Sequence, residues 1–120
     1  MIRIHATDAQ RWDVRQGYEK RALMPLGSLA GRAIQLQETM IRPGDNVAAH
    51  HHCEQTEIIY ITSGSGRFSV SGEEFGVASG DIVVIEPGES HDAGCDGAAP
   101  LRFLTFKLDY AKADSDTVWE

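Results

Sequence analysis

From residue 33 onward, turn-forming residues punctuate this chain so densely that no helix longer than a turn or two fits between them. Pro43-Gly44, Ser63-Gly64-Ser65-Gly66, Ser71-Gly72, Gly80-Asp81 and Pro87-Gly88 supply the backbone geometry that glycine and proline favour and that regular elements avoid. The pieces between them are alternating, β-branched or aromatic. Ile34, Leu36, Glu38 and Met40 alternate with Gln35, Gln37, Thr39 and Ile41, the pattern of a half-buried strand. Glu57 to Thr62, Arg67 to Val70, Glu74 to Val77, Asp81 to Ile85 and Leu101 to Leu108 read as further strands. Bounded strands recurring about every 8–12 residues predict an all-β sandwich or barrel.

A chain of 120 residues is expected to form one domain. Its organisation reads as an N-terminal arm or edge strands over 1–32, a barrel over 33–108, and an acidic C-terminal tail over 109–120 that frays or forms a terminal helix. Eleven Lys and Arg against eighteen Asp and Glu give a formal charge of −7. That balance argues against nucleic acid, whose phosphates need a basic surface, and against an anionic membrane surface. No apolar run approaches the ~20 residues of a membrane span. Two cysteines, Cys53 and Cys95, do not make a disulfide scaffold. With no apolar stretch of signal-peptide type after Met1, the expectation is a cytoplasmic protein with both thiols reduced.

One cluster carries chemistry. His50-His51-His52 stands between a turn and a strand, and Glu57 follows five residues after His52. Side chains alternate along extended backbone, so His50 and His52 share a face and His51 points the other way, outward or toward a partner chain. Two imidazoles beside a carboxylate make half of a coordination sphere that suits Fe, Mn, Co, Ni, Cu or Zn.

The spacing is more specific than the composition. From Gly44, five residues lead to His50-His51-His52, four more to Glu57, and six more to Gly64. This resembles the first motif of the cupin family. Gly80, five residues, Glu86-Pro87-Gly88, two more residues and His91 are similar to its second motif. Glu86 stands where that pattern has proline, with Pro87 adjacent, and Cys95 stands where it often has asparagine. The resemblance covers residues 44–95 closely. It implies a double-stranded β-helix, a jelly-roll barrel in which His50, His52, Glu57 and His91 converge on one divalent transition metal. It also implies a homodimer, with the arm over 1–30 as the candidate contact.

Such a protein is expected to be a metal-dependent enzyme acting on a small oxygenated organic molecule, with a dioxygenase-type oxidoreductase as the leading subtype. Two alternatives remain: a metal- or ligand-binding sensor module without turnover, and a metal-assisted isomerase or lyase on a sugar or carboxylic acid. Tyr60, as a phenol acid or donor, and Arg42, as a carboxylate binder, are the candidate catalytic residues. Cys95 shares the strand phase of His91 and is expected either in the cavity or as an inert buried thiol. Phe103, Thr105 and Phe106 read as core, while Trp12 and Trp119 are assigned no place.

Overall fold

The protein is described by a computed structural model covering residues 1–5, 8, 10–24 and 31–120. Its strands are β1 (Asp13–Arg15), β2 (Tyr18–Ala22), β3 (Ile34–Ile41), β4 (Asn46–His52), β5 (Thr56–Ser63), β6 (Ser65–Val70), β7 (Glu73–Ala78), β8 (Ile82–Ile85), β9 (His91–Gly94), β10 (Leu101–Leu108) and β11 (Thr117–Trp119). They form two antiparallel sheets, ordered β1-β2-β3-β10-β5-β8 and β11-β4-β9-β6-β7. This is the all-β architecture that the turn spacing predicted, in the double-stranded β-helix form that the resemblance implied. A 3₁₀ turn over Ala113–Asp116 precedes β11. Among the described residues, no helix is long and apolar enough to cross a membrane.

The alternation of β10 explains how the two sheets close. Leu101, Phe103, Thr105 and Lys107 point inward and are buried, while Arg102, Phe106 and Leu108 are exposed. Ile59 and Ile61 of β5 face the same interior. With Ile41, Phe68, Val77, Val83 and Ile85 they make one apolar core. Turn chemistry holds the ends of the strands. Gly64 sits at φ +79° in the β5–β6 turn, and a Cβ there would stand 2.3 Å from the Pro100 carbonyl oxygen. Only glycine meets both conditions.

The alternation of β3 is present, but its polar phase is the buried one. Gln35, Gln37 and Thr39 face the interior, and Ile34 and Leu36 are half-buried on the outer face. Tyr60, Ile82, Val84 and Phe106 are likewise exposed on the outer side of this sheet. The arm forms edge strands as expected: β1 pairs with β2, and β2 pairs with β3 from Glu19↔Met40 to Ala22↔Gln37. β2 is thus paired on both sides within its own chain, and β1 forms the outer edge of the sheet. The Arg21 guanidinium lies over the Trp12 ring at 4.6 Å. Residues 25–30 of the expected arm lie outside the described residues.

The expectation of a fraying or helical acidic tail is corrected. β11 pairs with β4 residue for residue, Thr117↔His52, Val118↔His51 and Trp119↔His50. Asp116 is buried and accepts hydrogen bonds from the backbone N–H groups of Glu54 (2.8 Å) and Gln55 (3.0 Å). Tyr110 is buried as well. Specific local bonding of this kind overrides the composition of the segment, because one buried carboxylate with two N–H donors anchors the whole turn.

Candidate metal centre

A β-bulge aims the histidines. In the β4–β9 pairing, Val47 opposes Ala93 and His50 opposes His91, so three residues on β4 span two on β9. The extra residue reverses the alternation. Val47 is buried before the bulge, and His50 and His52 are buried after it. Unbroken pairing would carry the phase of Val47 to His51 instead. His51 accordingly points outward, with Nδ1 3.6 Å from Glu120 Oε1. His91 opens β9, just after the Pro87-Gly88 turn, whose Gly88 N–H donates to the His52 carbonyl at 2.7 Å. Three histidines thus come from the five-stranded sheet, and Glu57 on β5 comes from the six-stranded sheet opposite.

One ligand-capable atom from each of His50, His52, Glu57 and His91 lies within 4.8 Å of the other three, and all four residues are buried. Glu57 Oε1 is 2.6 Å from His52 Nε2 and 3.2 Å from His91 Nε2. The far side of each ring is held. His50 Nδ1 lies 2.8 Å from the Ala48 carbonyl oxygen, and His91 Nδ1 lies 2.9 Å from that of Glu89. A carbonyl oxygen accepts only, so these Nδ1 atoms carry the protons and Nε2 presents a lone pair to the centre. His52 Nδ1 meets Thr117 Oγ1 at 3.0 Å, a partner supplied by the tail.

Burial, followed by the charge of His91, pulls His50 down to a pKa of about 4, so it is neutral at neutral pH and ready to coordinate. Burial also pulls on His91, but its contact with the Glu57 carboxylate outweighs this and leaves its pKa raised. Burial pushes Glu57 upward, and the contacts with His52 and His91 reverse that, holding it well below the usual carboxylate range. Yet His52 Nε2 and Glu57 Oε1 have no hydrogen-bond partner of adequate geometry, although both are buried. Two buried polar atoms 2.6 Å apart with no hydrogen bond between them are costly unless a cation lies among them. Three imidazoles and one carboxylate form a donor set for a divalent transition metal. The residues therefore fit a single metal site.

The four residues line a cavity of about 100 Å³. Its wall includes Tyr18 and Lys20 from β2, Gln37 and Thr39 from β3, Phe103, Thr105 and Lys107 from β10, and Thr117 and Trp119 from β11. The Trp119 ring lies 4.6 Å from that of His50. Tyr60 and Arg42 do not line it, which corrects both expectations. Tyr60 is 44% exposed outside the barrel, because it stands three residues from Glu57 and so takes the opposite strand phase. Arg42 lies beyond the end of β3, where its 61% exposed side chain pairs with Glu19 at 3.1 Å. Cys95 is a core thiol that donates to the Ala99 carbonyl oxygen at 3.2 Å. Of the core candidates, Phe103 and Thr105 face inward and Phe106 faces out.

Lys107 is the main residue that sequence reasoning passed over. The signal was present, since Lys107 continues the inward phase of Leu101, Phe103 and Thr105. Lys20, Thr117 and Trp119 carried no comparable signal, because their place depends on how the arm and the tail dock.

With this geometry in place, the class is defined by comparison. The cupin domain family matches residues 37–107, and the chain belongs to that family. An oxalate-binding protein of Thermotoga maritima is 30% identical over 86 residues, covering 72% of this chain and 71% of the relative. Among solved structures, a predicted oxalate decarboxylase of Thermotoga maritima superposes with a TM-score of 0.78 at 23% identity. That match covers 89% of this chain and 98% of the other, and it speaks to the fold alone. The polyketide cyclase RemF of Streptomyces resistomycificus superposes with a TM-score of 0.76 at 27% identity, over 91% of this chain and 80% of that one.

Proposed function

We propose that this cupin is a metal-dependent enzyme for a small oxygenated organic molecule, with His50, His52, Glu57 and His91 holding the ion and dioxygenase-type oxidation as the reaction class. The observation that carries the reading is the placement of a buried His₃Glu set, with His52 Nε2 and Glu57 Oε1 lacking hydrogen bonds, on the wall of a cavity of about 100 Å³. An ion in that set supplies Lewis acidity and, if it is Fe, Mn, Co, Ni or Cu, redox capacity. The chain's own residues do the rest. The Ala48 and Glu89 carbonyls and the Thr117 hydroxyl fix the ring orientations. Trp119, Phe68 and Phe103 give the cavity an aromatic wall. Tyr18 is the phenol on the cavity wall, with its pKa raised by burial, and it holds its proton at neutral pH.

The second reading, binding without turnover, draws on the oxalate-binding relative and on the positions of Tyr60 and Arg42 outside the cavity. One experiment separates the readings. The protein is loaded with Fe²⁺ or Zn²⁺, metal content is measured, and oxygen uptake is followed with 1,2- and 1,3-dicarbonyls, catechols, thiols and oxalate. Metal-dependent oxygen uptake with Fe²⁺ but not Zn²⁺ is expected. Turnover with Zn²⁺ moves the reaction to an isomerase or lyase, and tight binding with no turnover makes the chain a binding module. Absence of stoichiometric metal defeats the reading altogether.

A homodimer belongs to this proposal. It is supported by the apolar side chains of Tyr60, Ile82, Val84 and Phe106, exposed together on the outer sheet face. A one-chain mass in light scattering overturns it. A cytoplasmic location is supported by two free cysteines.

A further inference from the structure

The wall of the metal cavity divides by burial. Every wall residue contributed by β3, β4, β5, β6, β9 and β10 is buried. The wall residues that are not buried all come from the arm and the tail: Arg15, Tyr18 and Lys20 from the one, Asp114, Thr117 and Trp119 from the other. The cavity therefore meets solvent where the arm faces the tail, and that junction is its mouth. Outside the mouth lies a larger groove of about 480 Å³, which shares Arg15, Tyr18 and Trp119 with the cavity.

Both sides of the mouth are anchored to the barrel. On the arm side, Gly17 turns the β1–β2 hairpin at φ +85°, and a Cβ there would collide with the Asn46 carbonyl oxygen. The hairpin tip thus lies against the first residue of β4, in the opposite sheet. On the tail side, β11 is paired with β4. Asp114 joins the two sides. Its Oδ1 is 3.1 Å from Lys20 Nζ, and its Oδ2 is 3.5 Å from Arg15 Nη2. Arg15 is shared with Asp13 at 2.7 Å, so Lys20 is the closer partner of Asp114. These ion pairs run across the opening, whereas the β2–β3 and β11–β4 pairings run along its sides. Breaking the ion pairs leaves each side on its own strand and frees the sides from one another. Asp114 is not one of the four metal donors, so its effect falls on access to the ion.

We propose that Asp114 is a positioning residue that clamps the arm to the tail across the mouth of the metal cavity, and so limits the breadth of the molecule that reaches the ion. This rests on the metal-centred function above and adds what selects its substrate by size. A narrow head passes the clamped mouth, and a broad, flat one needs the arm and the tail to part.

The test uses the Co²⁺-loaded full chain and follows ligand arrival at the ion by its visible absorption in stopped flow. The probes are acetate and benzoate, which share a charge and a metal-binding group and differ in breadth. Asp114→Asn removes a negative charge from the mouth, and Lys20→Gln removes a positive one. Electrostatic steering alone moves both probes together, faster in the first variant and slower in the second. Loss of the clamp acts on breadth instead. The ratio of benzoate to acetate association rates is expected to rise about 3- to 5-fold in both variants, the size of effect that a partly exposed ion pair supplies. Added salt is expected to raise this ratio in wild-type protein and to leave it unchanged in Asp114→Asn. Metal content, measured on the same samples, is expected to stay at the wild-type level. A ratio that fails to rise in either folded, metal-loaded variant overturns the inference. If one variant does not fold, the other decides together with the salt dependence. Wild-type protein without stoichiometric Co²⁺ defeats the metal-centred function and this inference with it, whereas an unmoved ratio on loaded protein defeats the clamp only.

Discussion

The two ends of the barrel are built from the same strands and bury opposite kinds of side chain. At one end Ile41, Ile61 and Leu101 are fully inaccessible and pack with Phe68. At the other, the inward phase of those strands continues into Gln37 and Gln35 on β3, Glu57 on β5, and Thr105 and Lys107 on β10. The registers align these residues in layers. Leu101 opposes Ile41, Thr105 opposes Gln37 and Ile59, and Lys107 opposes Gln35 and Glu57. A polar group buried without a partner costs roughly 1–3 kcal/mol in proteins, and a domain has only about 5–15 kcal/mol of net stability. Several such groups at one end are therefore tolerated only where they meet each other, a cavity or a bound species. The apolar end holds the barrel together, and the polar end uses that rigidity to hold a site.

This division can be broken in four ways, and the largest effect belongs to the metal ligands. His52→Ala is expected to abolish stoichiometric metal binding, while His51→Ala, one residue along and outward-facing, keeps it. Equal losses by metal analysis would mean that the β4 bulge does not set the phase. Next, Leu101→Ala at the apolar end is expected to cost about 2–5 kcal/mol of stability in denaturant unfolding, with metal content per folded molecule unchanged. A matching loss of metal from the folded fraction would show that the two ends are coupled.

The tail tests the boundary between them. Thr117→Val removes the hydroxyl beside His52 Nδ1 at nearly constant volume, and metal affinity is expected to fall about 10- to 100-fold. Unchanged affinity would reduce the tail to packing. The smallest graded effect is that of acid. The Glu57 carboxylate raises the pKa of His91 in the metal-free protein, so below that pKa an incoming ion must displace its proton. Affinity is expected to be full above that pKa and to fall about tenfold per pH unit below it. The slope should steepen near pH 4, where His50 also gains a proton. Metal titrations that show no proton release would contradict this.

Much of the site was legible because its geometry is local. The His-x-His pair, Glu57 and the Pro87-Gly88 approach to His91 are readable where turn positions and a two-residue alternation are readable. The same alternation also bears on two misreadings: Tyr60 stands three residues from Glu57 and so takes the opposite phase, and Lys107 is in phase with Leu101, Phe103 and Thr105. The phase reversal at the β4 bulge was not legible, because it depends on how β4 pairs with β9 rather than on the residues of β4. The tail was misread for a related reason. Its acidic composition describes solvation in isolation, and Asp116 finds two backbone donors only once the β4–β5 turn is in place.

By itself, then, the sequence determined the strand-and-turn succession, the His50, His52 and Glu57 donors and the class of ion they suit, since each follows from backbone preference and donor chemistry over a few neighbouring residues, while His91 joined them only through the resemblance of the second motif. Tertiary structure alone decided which wall faces the centre, which outlying segments close over it, and that Lys107 is buried across from Glu57. Those outcomes depend on pairings between residues far apart in the chain, and on the low dielectric that forms only when the two sheets meet.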